Sequence, residues 1–241
     1  MQSLGVSIVI PVRDEDENIV PLVSELKQFT MNDNGFKIHE IFFVDDGSND
    51  DTMEKITKCS TEFPIINAVS LNGHRGKGIA IKTGIKSARG DVVVTMDGDL
   101  QHSPFQIEGL IQPILKNEAD IVVAARRDDN YSLYRKTLSR VNSWIFNHLF
   151  KFNLTTPNEG FKAIGKNVTE NLDVKANGFD FDLEFLVKAK VAGFTITETP
   201  VTLRKRKHGR SKVNTVKVAL IFLGKMIALW FDQRERLSRL P

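Results

Sequence analysis

Two carboxylates separated by one glycine, Asp97-Gly98-Asp99, directly follow the apolar run Val92-Val93-Val94-Thr95-Met96. An apolar strand with this ending carries hard oxygen donors to the carboxyl edge of a sheet, where open α/β sheets hold their ligands. Such donors suit Mg²⁺ or Mn²⁺, ions that keep several waters and bind through one or two carboxylates together with substrate phosphates. The glycine lets a diphosphate approach the backbone. Asp-Gly is also a two-residue hairpin signal. A hairpin needs a second strand immediately afterwards, however, and Leu100-Gln101-His102-Ser103-Pro104 leads into a helical pattern instead.

A second apolar run ends in the same way, in Val44-Asp45-Asp46-Gly47-Ser48. Its two carboxylates could accept hydrogen bonds from a base and a ribose. Asp46 is assigned the ligand contact and Asp45 a buried structural role, while Asp50, Asp51 and Thr52 are expected to cap the next helix. Lys77, between Gly76 and Gly78, stands where glycines and a helix start favour anions, or is a surface lysine. His102 reads as a hydrogen-bonding neighbour of the acidic pair. The basic run 204–212 supplies guanidinium groups that grip phosphate oxygens bidentately. Within it Arg206, Arg210 and Lys212 are expected to face inward. Arg204, Lys205 and Lys207 are expected to face outward, toward anionic headgroups worth about 1 kcal/mol each, or toward solvent. Asp180, Asp182 and Glu184 either begin a helix or supply a base for an acceptor hydroxyl.

These groups need a sheet to hold them. The first half alternates short β-branched runs with longer amphipathic segments, the pattern of parallel strands joined by covering helices. Strands are expected at 6–12, 38–44, 67–71, 91–96 and 120–125, with helices at 18–29, 52–60, 76–88 and 104–117. Ser103-Pro104 supplies an N-cap followed by proline at the first helical position. The second half predicts a helix over 133–150, a turn at 157–160, a helix near 182–191 and a strand over 195–203. Its loops are long, and long loops carry function more often than short ones. In 213–231, Leu220, Leu223, Ile227 and Trp230 share a face at helical spacing. This helix packs on the core, pairs two subunits or lies on a membrane, and Trp230, Phe231, Arg234 and Arg236 favour the interface. Lys217 and Lys225 interrupt it, so it is not expected to span.

With 241 residues, 41% hydrophobic and 26% charged, the chain has globular composition and fits one α/β domain. That domain is assigned to 1–212, with a nucleotide half to about 126 and an acceptor half beyond it, followed by the helix of 213–241. A net charge of +3 is too small to argue for nucleic acid. The single cysteine, Cys59, excludes an intramolecular disulfide and a cysteine-based zinc site, and reads as structural. Residues 1–12 lack a basic start, an apolar run and a small-residue cleavage site. The chain is therefore expected in the cytoplasm, peripheral on the cytoplasmic face of a membrane.

Val44-Asp45-Asp46-Gly47-Ser48, Gly76-Lys77-Gly78, Asp97-Gly98-Asp99-Leu100-Gln101-His102, the strand end 123–126, Gly160-Phe161-Lys162 and the run 206–212 occur in that order, after Pro11-Val12-Arg13-Asp14-Glu15. Together they resemble the family 2 glycosyltransferases of GT-A fold, in particular the dolichol-phosphate and polyprenyl-phosphate sugar synthases. The resemblance covers nearly the whole chain. It implies an α/β GT-A fold, a Rossmann-like, mostly parallel sheet flanked by helices and followed by a C-terminal amphipathic helix. It also implies a pocket for base and ribose at Pro11, Arg13, Glu15, Val44 and Asp46, and a diphosphate and metal site at Asp97, Gly98, Asp99 and Gln101. Arg126, Arg206 and Lys212 match basic residues around the donor diphosphate or acceptor phosphate; Asp99, Arg126 and Arg206 would carry catalysis. The chain departs from the family's usual pattern at Arg13-Asp14 and at Thr156-Pro157-Asn158-Glu159-Gly160-Phe161-Lys162.

The implied reaction is displacement with inversion at the anomeric carbon of a UDP- or GDP-sugar, with Mg²⁺ or Mn²⁺ held by Asp97, Asp99 and Gln101. A polyprenyl phosphate is the expected acceptor; a hydroxyl acceptor in envelope polysaccharide synthesis is the alternative. A nucleotidyltransferase would need a glycine-rich basic loop after the first strand, where 11–18 is acidic. A dinucleotide oxidoreductase would need Gly-x-Gly-x-x-Gly there. A non-catalytic protein binding membrane and partners through its last helix fits less well with both acids of the pair in place.

Overall fold

The computed structural model describes residues 4–31, 35–127, 133–205 and 215–238. Seven strands form one sheet: β1 (Leu4–Val12), β2 (Phe36–Asp45), β3 (Ile66–Ser70), β4 (Val92–Thr95), β5 (Ile121–Arg127), β6 (Lys162–Gly165) and β7 (Ile196–Thr202), in spatial order β3-β2-β1-β4-β6-β5-β7. Six of them run in one direction. β6 alone is antiparallel to both of its neighbours, with Thr95 opposite Lys162 and Val92 opposite Gly165. The sequence reading did not anticipate β6 or the short helix α6 (Lys166–Asn171) behind it. Four residues are too few to display a period, and β6 owes its pairing to strands far away in the chain.

Helices α1 (Asp16–Thr30), α2 (Thr52–Glu62), α3 (Lys77–Ser87) and α4 (Ile107–Leu115) provide the crossovers of the first half. A 3-10 turn, Pro104–Gln106, precedes α4, and Ser103 and Gln106 form a reciprocal capping box there. At α2 the capping is narrower than expected. Asp50 accepts from the Thr52 N–H at 3.0 Å, whereas Asp51 at the cap position makes no side-chain bond to the helix. The second half adds α5 (Leu133–Phe150), α7 (Phe181–Val191) and α8 (Thr215–Ser238).

Because side chains alternate across a strand, the sheet feeds two cores. Val122 and Ala124 of β5 join the core beneath α1, α2 and α4; Ile121 and Val123 join the one beneath α5, α7 and α8. Cys59 lies in the first of these, and burial pushes its thiol above the ordinary value, which suits packing and not reactivity.

α8 packs against α5 and α7. Its buried positions are Met226, Gln233 and Leu237, with Phe222, Leu223, Leu229 and Trp230 partly covered. Leu223 and Trp230, expected to share a face with Ile227, are partly covered, whereas Ile227 is exposed, as are Ile221 and Phe231. The side chain of Leu220 lies outside the described residues.

Candidate active site

Strand order places the change of winding direction between β1 and β4, and the crevice at their carboxyl ends is where a sheet of this type takes a ligand. Pro11 and Val44 are register partners on β1 and β2, so the two positions assigned to base recognition stand side by side. Arg13 and Glu15 follow β1. The Glu15 N–H donates to Thr52 Oγ1 at 2.9 Å and its carboxylate accepts from Asn18 Nδ2 at 2.5 Å. Asp14, at φ 48°, accepts from the Asn49 N–H, tying this turn to the one after β2.

Asp45 is indeed buried and structural, accepting from the Ser48 N–H and hydroxyl. Asp46, assigned to ligand contact, is buried as well and holds a loop. Oδ1 accepts from the Arg75 N–H at 2.6 Å and the Gly76 N–H at 3.0 Å, while Oδ2 meets His74 Nδ1 at 2.7 Å. Gly47 makes this possible. At φ 73° it lies so close to the 73–74 backbone that a Cβ would sit 2.5 Å from the Gly73 carbonyl carbon. Asp46 thus sets the start of α3, and with it Lys77.

Asp97-Gly98-Asp99 leaves β4 directly beside the end of β1. A Cβ on Gly98 would come within 2.7 Å of Val12 Cγ1, so glycine is required by packing as well as by any ligand. Asp99 is 7% exposed and accepts from the Gln101 N–H at 3.1 Å. The next residue, Leu100, has φ 61°, a left-handed backbone that costs a branched residue about 1–3 kcal/mol and is concentrated at functional turns.

Lys77, which the sequence left between anion site and surface, is mostly buried and pairs with Asp97 Oδ1 at 2.6 Å. Burial opposes the charge on each, yet their attraction prevails: the Lys77 ammonium is held above its ordinary pKa and the Asp97 carboxyl below its own. Gly160 closes the far side. A Cβ there would stand 2.9 Å from Lys77 Nζ and 3.2 Å from Asp97 Oδ1, so its absence leaves room above the pair.

Residues 156–162 connect the acidic turn to β5. Thr156 Oγ1 donates to the Ala124 carbonyl at 2.9 Å and accepts from the Arg126 N–H. Thr95 Oγ1 donates to the Gly160 carbonyl at 2.6 Å. Glu159, 6% exposed, accepts from His102 Nε2 at 3.1 Å and lies 3.8 Å from Arg126 Nη1. Burial disfavours both charges of the His102–Glu159 pair, but the bond between them outweighs it, raising the imidazole and lowering the carboxyl. Buried Lys162 pairs with Asp182 and donates to the Glu159 carbonyl.

The three acids considered as bases are all engaged. Asp182 is held by Lys162, Asp180 by Lys225 at 3.0 Å, and Glu184 by Lys188 at 2.6 Å and the Lys175 and Ala176 N–H groups.

The sequence profile of Glycosyl transferase family 2 matches residues 7–169. The chain belongs to this family. A dolichol-phosphate mannosyltransferase of Pyrococcus furiosus is 34% identical over 217 residues, covering 87% of the chain but only 59% of that protein. A dodecaprenyl-phosphate galacturonate synthase of Rhizobium johnstonii is 28% identical over 240 residues, covering 96% of the chain and 68% of that protein. The crystal structure of glucosyl-3-phosphoglycerate synthase from Mycobacterium tuberculosis, in complex with Mn²⁺, UDP and phosphoglyceric acid, superposes with a TM-score of 0.74 at 19% identity, over 99% of the chain and 80% of its own. The GT-A fold expected from the resemblance is the one observed.

Two features of this family 2 glycosyltransferase correct the reading of its basic run. Arg204 does not point toward headgroups: Nη1 grips both oxygens of Glu25 at 2.7 Å and Nη2 donates to Ser103 Oγ at 2.7 Å. Its N–H also donates to the Gln101 carbonyl at 2.9 Å, fastening the end of β7 to the acidic turn. Lys205 is exposed, as expected. Arg206, Lys207, Arg210 and Lys212 lie outside the described residues. The sequence reading missed Glu159 as a site component, noting it only as a departure from the family motif. An acid three residues before a lysine is an ordinary helix-like spacing, and nothing local marks its partners, 57 and 33 residues away.

Proposed function

We propose that this chain transfers a sugar, with inversion, from a nucleoside diphosphate donor to a polyprenyl phosphate. The observation that carries the reading is the asymmetry of the site. Asp97 and Asp99 stand at the end of the central strand, and the acids of the acceptor side, Glu159, Asp180, Asp182 and Glu184, each face a cationic side chain. A hydroxyl acceptor would need one of those acids as its base. A phosphate acceptor brings an oxygen that is already ionised at neutral pH and needs none.

The residues present fit a divalent ion bound together with the donor. Asp97 and Asp99 offer hard oxygens and Gly160 leaves space at Asp97, while no cluster of three or more His, Cys, Asp or Glu that could hold a metal on its own exists among the described residues. Asp97, Asp99 and Gln101 would hold Mg²⁺ or Mn²⁺, whose chemistry is to offset the charge that grows on the leaving diphosphate. Lys77 and Arg126 add fixed positive charge at the same edge. Arg206 and Lys212 are assigned to the anion site in this reading, on the resemblance of the basic run to the family's. Pro11, Arg13, Glu15 and Val44 line the base side, and Asp46 shapes it through the 74–76 loop.

The names of the relatives support a lipid phosphate acceptor, and so does the outer surface of the last helices. Val141 and Trp144 of α5 and Ile221, Ile227 and Phe231 of α8 are exposed, with Arg234 stacked over Phe231. No described helix is long and apolar enough to cross a membrane. A peripheral position on the cytoplasmic face, through apolar side chains with basic neighbours, follows from this reading.

The deciding experiment offers UDP- and GDP-sugars with Mn²⁺ or Mg²⁺ to polyprenyl phosphate and to soluble hydroxyl acceptors, and measures release of nucleoside diphosphate. Release that depends on the lipid phosphate is expected. Release with soluble acceptors alone would overturn the acceptor assignment.

A further inference from the structure

Glu159 is buried between His102 and Arg126 near the crevice, and the proposed reaction gives it no step. Its carboxylate spans two elements that otherwise arrive separately. Oε1 accepts from His102 Nε2 at 3.1 Å, three residues past Asp99, and from the Gly160 N–H at 3.0 Å; Oε2 faces Arg126 Nη1 at 3.8 Å, at the end of β5. The second distance is that of an ion pair without a hydrogen bond. Glu159 therefore attracts the guanidinium without using one of its donors through that contact. The carboxylate is itself fixed. Lys162 donates to the Glu159 backbone carbonyl, the His102 ring packs 4.7 Å from the Phe161 ring, and Thr156 bonds the backbone on both sides of Ala125. Arg126 is the more accessible partner, with its side chain 24% exposed against 6% for Glu159.

From this arrangement we infer that Glu159 is a positioning residue: through Arg126 on one side and His102 on the other, it fixes the guanidinium relative to the acidic turn so that both meet the donor diphosphate. The inference rests on the proposed nucleotide-sugar reading of the site.

Binding of UDP and GDP in the presence of Mn²⁺, measured by calorimetry, tests it without needing an acceptor. The comparison uses the unaltered chain, Glu159→Gln, Arg126→Ala and the double variant. Glu159→Gln should weaken nucleoside diphosphate binding about fivefold or more, and the double variant should bind within about twofold of Arg126→Ala alone, the non-additivity expected of residues that act as one unit. A purely structural role would make the two losses multiply, and that result would overturn the assignment. If Glu159→Gln does not fold, His102→Gln gives the same cycle with Arg126→Ala, because it cuts the other arm of the link; independent losses there count equally against it. Failure of the unaltered chain to bind either nucleotide would overturn the functional reading itself, which is distinguishable from binding with additive losses.

Discussion

Asp45, Asp46 and Asp50, at the turn after β2, and Glu159, Asp180, Asp182 and Glu184, between β5 and β7, are satisfied in different currencies. Asp45, Asp46 and Asp50 accept mostly from backbone N–H groups and hydroxyls of the turns around them. Glu159, Asp180, Asp182 and Glu184 each face a cationic side chain. At the turn after β2 the carboxylates fold loops. Between β5 and β7 they balance charge, and removing Asp182 strands the buried Lys162. The difference teaches where this fold tolerates neutral substitution and where it does not.

The largest effect belongs to the seam between the two regions. Asp99→Ala should lower transfer at least about 100-fold, the scale for losing a group that acts on developing charge, while the melting temperature stays near that of the parent. Preserved turnover would sink the metal and diphosphate assignment. Next is Asp182→Asn, which leaves Lys162, 1% exposed, without its counter-charge. A loss of about 3–5 kcal/mol in chemical denaturation is expected. Asp46→Asn is the matched test on the nucleotide side. It removes acceptors from the Arg75 and Gly76 N–H groups and should cost about 1–2 kcal/mol. If it proves as damaging as Asp182→Asn, the contrast drawn here fails.

The smallest effect is also the one with a pH signature. Glu184 has its carboxyl held low: burial works against this, and the Lys188 ammonium with the Lys175 and Ala176 N–H groups overcomes it. A depressed folded-state pKa gives stability that is fully present above the ordinary value of 4.5 and disappears as pH falls through the lower, folded value. Glu184→Gln should therefore cost about 1 kcal/mol at neutral pH. Melting curves of the two proteins should converge as pH falls below 4.5 and through the lower, folded value, and a gap that persists in acid would mean that charge is not what Glu184 contributes.

What could be read in advance follows the same division. The strands and helices of the nucleotide half were legible because each is announced by a local period and a local cap, as at Ser103-Pro104, and the acidic turns because they end apolar runs. The Arg204–Glu25 pair joins residues 179 apart, and His102–Glu159 joins residues 57 apart. Neither leaves a mark on its neighbours. Which side chains of α8 are covered is not legible for a related reason: several apolar stripes run along it, and only packing against α5 and α7 chooses among them.

The reversed strand β6 has a consequence for how this enzyme scaffold could diversify. Parallel strands contribute to the crevice only with residues that follow them, each committed to a crossover. β6 contributes with residues that precede it, since Lys162 lies opposite Thr95 at the active edge. The stretch between the end of α5 and Thr156 can therefore lengthen or change composition without moving Asp97 or Asp99. Acceptor preference would then be the more easily altered trait in descendants of this chain, and donor chemistry the more conserved one.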